Sequence, residues 1–203
     1  MSVQRKPDRR PYRLNERARR QAETRRRITE ATVELHGTAG AARTTISAIA
    51  ERAGVERLTV YRHFPDERSL LEACSSHWMA AHPPPDPGTW AATRDPDSRM
   101  RAALAEVYAY YEANERMLAN NMRDAADIPV LAELMGGFAE YLGAVHGTLM
   151  RGRRSRGRRR GRVIAALGHA LDFETWRSLR RRQGLDAAEA IELMVGLAAA
   201  AAR

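Results

Sequence analysis

The chain has 203 residues, 44% of them hydrophobic and only 6% aromatic, with a formal net charge of +9. That is enough apolar material for a buried core, and apolar residues recurring at intervals of three and four predict an all-α fold. Cys74 is the sole cysteine, which excludes an intramolecular disulfide and a multi-cysteine metal site. No stretch approaches 18 uncharged apolar residues, and the basic N-terminus lacks the apolar segment of a signal peptide, so a soluble, cytoplasmic chain with no membrane partner is expected.

The charge is unevenly placed. Residues 1–68 hold 16 Lys/Arg against 9 Asp/Glu, and most of the remaining basic excess falls in "RGRRSRGRRRGR", Arg151 to Arg162. A basic head on a mildly acidic body is the distribution expected of a nucleic-acid binder with a second function elsewhere.

Residues 1–15 carry two prolines, five basic residues and no periodicity, and read as a flexible basic arm. From Glu16 to Leu35 a stripe of Ala18, Ile28, Ala31, Thr32 and Leu35 marks a helix otherwise covered in charge, closed by Gly37 and Gly40. Thr44 or Thr45 then caps a short helix with Ile46, Ile49 and Ala50 inward. Ala53 and Gly54 break it, and a second short helix follows from about Glu56 to His63, with Val55, Val60 and Phe64 inward.

Two short helices joined by a tight glycine turn describe a helix-turn-helix, in which the second helix is offered to the major groove of duplex DNA. Arg57, Leu58, Thr59, Tyr61, Arg62 and His63 remain for contact. Arginine suits guanine O6 and N7, Thr and Leu meet a thymine methyl, and Tyr and His suit phosphate oxygens. Pro65 ends the reading helix, and Asp66 caps a longer one from about Glu67 to Ala81 with Leu70, Leu71, Ala73, Cys74 and Trp78 on its buried side. On that face Cys74 reads as an inert thiol. "HPPPDPG", His82 to Gly88, reads as a connector.

The order of an Arg-rich helix, "TISAIAERAGV" and "TVYRHFPDERSLL" resembles the DNA-binding domain of the TetR (tetracycline-repressor-like) family of transcriptional regulators over roughly residues 16–81. The resemblance implies that Thr45 and Ser47 lie near DNA at the start of the bracing helix, that Arg57 to His63 hold the reading positions, and that Tyr61 and His63 meet the backbone. The family usually places a lysine where this chain has Glu67, which repels phosphate; Arg68 stands beside it. The resemblance further implies a larger helical domain, residues 89–203, that binds a small-molecule effector and forms a homodimer, with repression as the family default; independently, one recognition helix touches only a few base pairs, so a dimer on a near-palindromic operator is expected.

Residue patterns support helices at about 97–114, 115–126, 129–150, 162–182 and 186–202. The last two read as an amphipathic pair, with Val163, Ala166, Leu167, Ala170, Leu171 and Phe173 on one and Ile191, Met194, Val195 and Leu197 on the other. Such a pair either packs within one subunit or doubles across a two-fold axis as a four-helix bundle. For an effector, Trp78, Tyr108, Tyr111, Met117, Met122, Phe138, Tyr141 and Trp176 are candidate lining groups, with His146, His169 and Asp172 adding polarity. Residues at this spacing serve equally as plain core.

The run from Arg151 to Arg162 reads as a solvated flexible loop, because its glycines and like charges oppose order. No phosphate-binding glycine loop, HExxH or GxSxG appears, so neither catalysis nor a cofactor is expected. A constitutive or architectural DNA binder would use the same head without an effector.

Overall fold

In the computed structural model, residues 9–203 are described, with side chains from residue 15 onward. The first helix, α1, runs Arg9–Thr38. Residues 9–15 of the expected arm are therefore helical; Pro11 falls in the first turn, where its missing N–H removes no bond. Arg5 and Lys6 lie outside the described residues, as do the side chains of Arg9, Arg10 and Arg13. The apolar stripe begins at Ile28 rather than at Ala18, which is exposed.

A 3-10 turn, Ala41–Arg43, leads into α2, Ile46–Ala53, whose N-cap is Thr45 accepting from the Ala48 amide at 3.1 Å. Gly54 ends α2 at φ 64°, ψ 44°, donating to Ala50 and Glu51 carbonyls. The next helix, α3, is only Arg57–His63, and α4 covers Glu67–Ala81 with Asp66 Oδ1 accepting from the Ser69 amide at 2.7 Å. These four helices share one core of Ile28, Ala31, Ile49, Ala50, Ala53, Val60, Phe64 and Leu70. Each large apolar side chain buried there contributes about 1.5–3 kcal/mol, which is what holds a seven-residue helix that propensity alone leaves unfolded.

The chain divides into two compact units, one through Ala81 and one over His82–Arg203. The second begins with the proline connector and a single turn, α5, Gly88–Ala91, whose Trp90 is buried and donates to Glu106 Oε1 at 2.9 Å. Its spine is α6, Pro96–Asp124, one continuous helix where a break near Asn114 was expected. Asn114 is buried and donates to the Tyr110 carbonyl at 2.8 Å, an i−4 bond that keeps its polar group inside the helix rather than ending it.

The helix α7 spans Pro129–Met150, as expected, and α8 spans Gly157–Leu171. Residues 157–162 of the arginine run are thus the opening turns of α8, and the preceding turn is also built rather than loose. Arg99 donates to the Thr93 carbonyl at 2.5 Å and to the Arg151 carbonyl, while Arg153 donates to Leu149 and Pro96 carbonyls at 3.2 Å. The helix expected over 162–182 is interrupted at Asp172. Its side chain accepts from the Thr175 amide at 2.7 Å and caps a short α9, Phe173–Arg177, which runs into a π-helical turn at Ser178–Arg182. Finally α10, Ala187–Ala201, starts at a capping box of Asp186 and Glu189 and packs on α6 and α8. Arg101 and Glu192 join α6 to α10 through bonds of 2.6 and 3.0 Å.

Two outcomes follow for the head. A Cβ at Gly54 would meet no atom within 4 Å, so Gly54→Ala tests backbone handedness alone. Urea unfolding of the variant should show a loss of about 1–2 kcal/mol. Burial in the head core pushes the Cys74 thiol up to about 11. Because the folded value lies above the unfolded one, the stabilisation is fully present below about pH 9 and disappears as pH rises towards 11. Relative to Cys74→Ala, the wild-type chain should lose on the order of 2–3 kcal/mol across that interval in denaturation curves taken at stepped pH.

Candidate nucleic-acid interface

Exposure on α3 follows directly from which residues its neighbours need. Val60 and Phe64 are buried, so the opposite side is left to Arg57, Leu58, Tyr61 and Arg62, all exposed; Leu58 is 80% and Tyr61 46% accessible. Thr59 and His63 are half-buried at the edges of this face. Arg62 Nη2 donates to Thr59 Oγ1 at 3.2 Å, which lays the guanidinium along the helix surface. An apolar side chain as bare as Leu58 costs solvation in the isolated molecule and fits a surface that meets thymine methyl groups.

Thr45 and Ser47 are exposed at the start of α2. The Thr45 oxygen is already used as the helix cap, leaving its hydroxyl hydrogen for a partner. Glu67 is exposed in the first turn of α4, and Arg68 lies 3.7 Å from Glu72 in an ion pair on the same helix. Partial burial, with Arg62 and Arg25 nearby, lowers the His63 pKa below the usual imidazole value. The lowered value favours a neutral His63 ring, which offers one N–H donor.

Pattern reading did not find the residues of α1 that hold this interface in place. Arg25 Nη1 donates to the His63 carbonyl at 2.6 Å, and its guanidinium lies 4.0 Å from the centre of the Phe64 ring. The last carbonyl-bearing turn of α3 is thus tied to α1 beside its main apolar anchor. Arg27 Nη2 donates to the Gly54 carbonyl at 3.2 Å, and Arg52 Nε donates to Glu34 Oε2 at 2.7 Å. The end of α2 and the turn glycine are therefore fastened to the same helix that holds the end of α3. In sequence these partners lie 38, 27 and 18 residues apart, so no local spacing exposes them.

The effector candidates separate into several environments. Trp78 is half-buried on α4, in the first unit. In the second unit Tyr108, Tyr111 and Trp176 are fully buried, and the two phenols donate to the Ala170 carbonyl at 2.9 Å and the Leu171 carbonyl at 2.5 Å. Tyr111 meets Phe173 and Trp176 edge-on, with centroids 5.4 and 5.7 Å away. Phe138 stacks between Tyr110 and Tyr141 at 6.0 and 5.7 Å. The Tyr110 and Tyr141 hydroxyls and Trp176 Nε1 are buried without a hydrogen-bond partner among the described residues. Burial raises both phenol pKa values, Tyr110 to about 12, so both remain donors at neutral pH.

Met117 is half-buried on α6, and Met122 lines a separate cleft of about 590 Å³ with Glu115, Asn120 and Arg177. The three polar candidates are engaged locally: His146 with the Ile164 carbonyl at 3.1 Å, His169 with Thr175 Oγ1 at 3.0 Å, and Asp172 as the cap of α9. No helix among the described residues is long and apolar enough to cross a membrane.

Residues 28–74 match the family described as bacterial regulatory proteins, tetR family. No curated protein matches the chain. Among solved structures, a transcriptional regulator from Rhodococcus sp. is 17% identical, covers 88% of this chain and 97% of its own, and superposes with a TM-score of 0.58. A TetR transcription regulator from Haloarcula marismortui is 18% identical, with coverage of 89% and 97% and a TM-score of 0.58. The multidrug binding protein EbrR, complexed with imidazole, is 20% identical, with coverage of 85% and 88% and a TM-score of 0.53. The chain accordingly has the TetR-like regulator fold, and residues 28–74 of its head match the tetR family of bacterial regulatory proteins.

Proposed function

We propose that the chain is a sequence-specific DNA-binding transcriptional regulator that acts as a homodimeric, ligand-responsive repressor on a near-palindromic operator. The observation that carries this reading is the bare face of α3, where Arg57, Leu58, Tyr61 and Arg62 stand exposed on a helix clamped from behind by Val60, Phe64 and Arg25. One such helix reaches only a few base pairs, and doubling it onto half-sites about 34 Å apart supplies affinity and specificity together.

The doubling has a surface to use. On α8 and α10 Ile164, Leu193 and Leu197 are 41%, 50% and 41% exposed, with the small residues Gly168 and Gly196 exposed on the same two helices. Leu197, grouped from sequence with Ile191, Met194 and Val195 on one apolar face, belongs to this outer set. Two copies packed on it complete a four-helix bundle. The effector reading rests on Tyr110, Phe138 and Tyr141, where two buried phenol hydroxyls lack acceptors, and on a fold neighbour, EbrR, that is a multidrug binding protein. An effector that favours the arrangement unable to span both half-sites by a few kcal/mol empties the operator.

Selection from a random duplex pool should return a two-fold symmetric motif. On that motif Arg57→Ala should cost about 1–3 kcal/mol and relax preference at one base pair of each half-site. A loss spread evenly over all sequences would place Arg57 on the DNA backbone instead. Leu193→Glu with Leu197→Glu should give a monomer by sedimentation while keeping its helical content, and should lose the symmetric site. A dimer surviving that change would remove α8 and α10 from the interface.

A further inference from the structure

The arginine run is the motif that the reading head leaves unexplained. Several arginines elsewhere find acids: Arg26 with Glu23 and Glu30, Arg101 with Glu192, Arg181 with Glu112 and Glu115. Within 151–162 only Arg153 does so, 3.1 Å from Asp97. Arg154, Arg156, Arg158 and Arg159 have no ion-pair partner among the described residues, and all four line one cleft of about 850 Å³.

We propose that this cleft binds a small polyanion carrying two or more adjacent phosphate groups, at a site separate from the reading head and from the aromatic cluster around Phe138. Its volume lies within the range of small-molecule sites. The only acid lining it, Asp97, is engaged by Arg153, so the remaining arginines face the cleft without a counter-charge. Ser155 lines the same cleft, and its hydroxyl is buried with no hydrogen-bond partner. Guanidinium groups present paired donors that match phosphate oxygens, and several converging on one cleft favour a ligand with consecutive phosphates over a single one.

The turn is shaped in advance. Arg99 holds the Arg151 carbonyl, Arg153 holds those of Leu149 and Pro96, and Gly152 sits at φ 76° with Pro96 3.6 Å from where a Cβ would stand. A preformed turn spares a ligand the cost of ordering it. Crowding cations at the start of α8, with no acid in its first turn, opposes the helix dipole in the free protein and favours an anion there. Pro96, Val163 and Ala202 add an apolar wall that suits the non-phosphate part of a nucleoside polyphosphate.

Calorimetric titration of the full chain at fixed ionic strength, with tripolyphosphate, ATP and orthophosphate as probes, tests this. One tripolyphosphate or ATP per chain should bind, with orthophosphate weaker by about tenfold or more. ATP tighter than tripolyphosphate identifies a nucleoside polyphosphate; tripolyphosphate as tight or tighter identifies inorganic polyphosphate, and either supports the site. The variant R154S/R156S/R158S/R159S should lose about tenfold or more, while R17S/R19S/R20S/R43S, equal in charge removed, should bind as the wild type does. R154S/R158S, expected to lose about threefold, replaces the quadruple variant if circular dichroism shows that one unfolded. Equal losses in the cleft and head variants, no saturable binding, orthophosphate as tight as tripolyphosphate, or an effect of the cleft variant on duplex DNA binding alone would overturn the proposal.

Discussion

Seating Val60 and Phe64 in the core of the head is the constraint on which the interface depends. A helix as short as Arg57–His63 has no stability of its own, since nucleation outweighs the few hydrogen bonds it closes. Once those two side chains are buried with Ile28, Ile49 and Leu70, the remaining positions of α3 have only one direction left to face. The exposed face of α3 is thus a by-product of packing, and its residues are free of the constraints that fix the core residues. Arg25 strengthens the arrangement by meeting both the Phe64 ring and the His63 carbonyl.

Much of the head was legible because its signals are local. Thr45 and Asp66 cap helices, Gly54 supplies a left-handed residue, and Ile49, Val60 and Phe64 fall on their buried faces. The bracing by Arg25, Arg27 and Arg52 was not legible, because charged residues on a helix look alike whether they face water or reach a distant carbonyl. In the second unit the same difficulty moved boundaries. Asn114 resembled a helix end but satisfies itself within α6, and Asp172 lay inside one expected helix but starts α9. Leu197 was grouped with the buried Ile191, Met194 and Val195 because α10 is nearly apolar all round, so periodicity could not separate its inner face from its outer one.

Arginine is used in two opposite ways. On α1, residues such as Arg26 sit among glutamates at i±3 and i±4, pairs that contribute little in water but keep the surface balanced. At the start of α8 the positive charges accumulate without such partners, on a turn whose backbone is fixed by the buried Arg99 and by Arg153. Like charges gathered on a rigid support are a cost to the isolated fold, and a sequence read residue by residue sees only the repulsion. The structure adds the support, which turns a repulsive stretch into an arranged one.

Native-state hydrogen exchange of the α3 amides tests the central claim most directly. The Val60 and Phe64 amides donate to Glu56 and Val60 carbonyls at 3.4 and 2.8 Å, and a helix propped by its core should release them only when the whole head opens. Exchange of both at the rate of the Ile49 amide in α2, slowing together as stability rises, is the predicted result. Free exchange of α3 while α1 and α2 stay protected would show that the reading helix is not held by its neighbours, and the account built on its exposed face would fail.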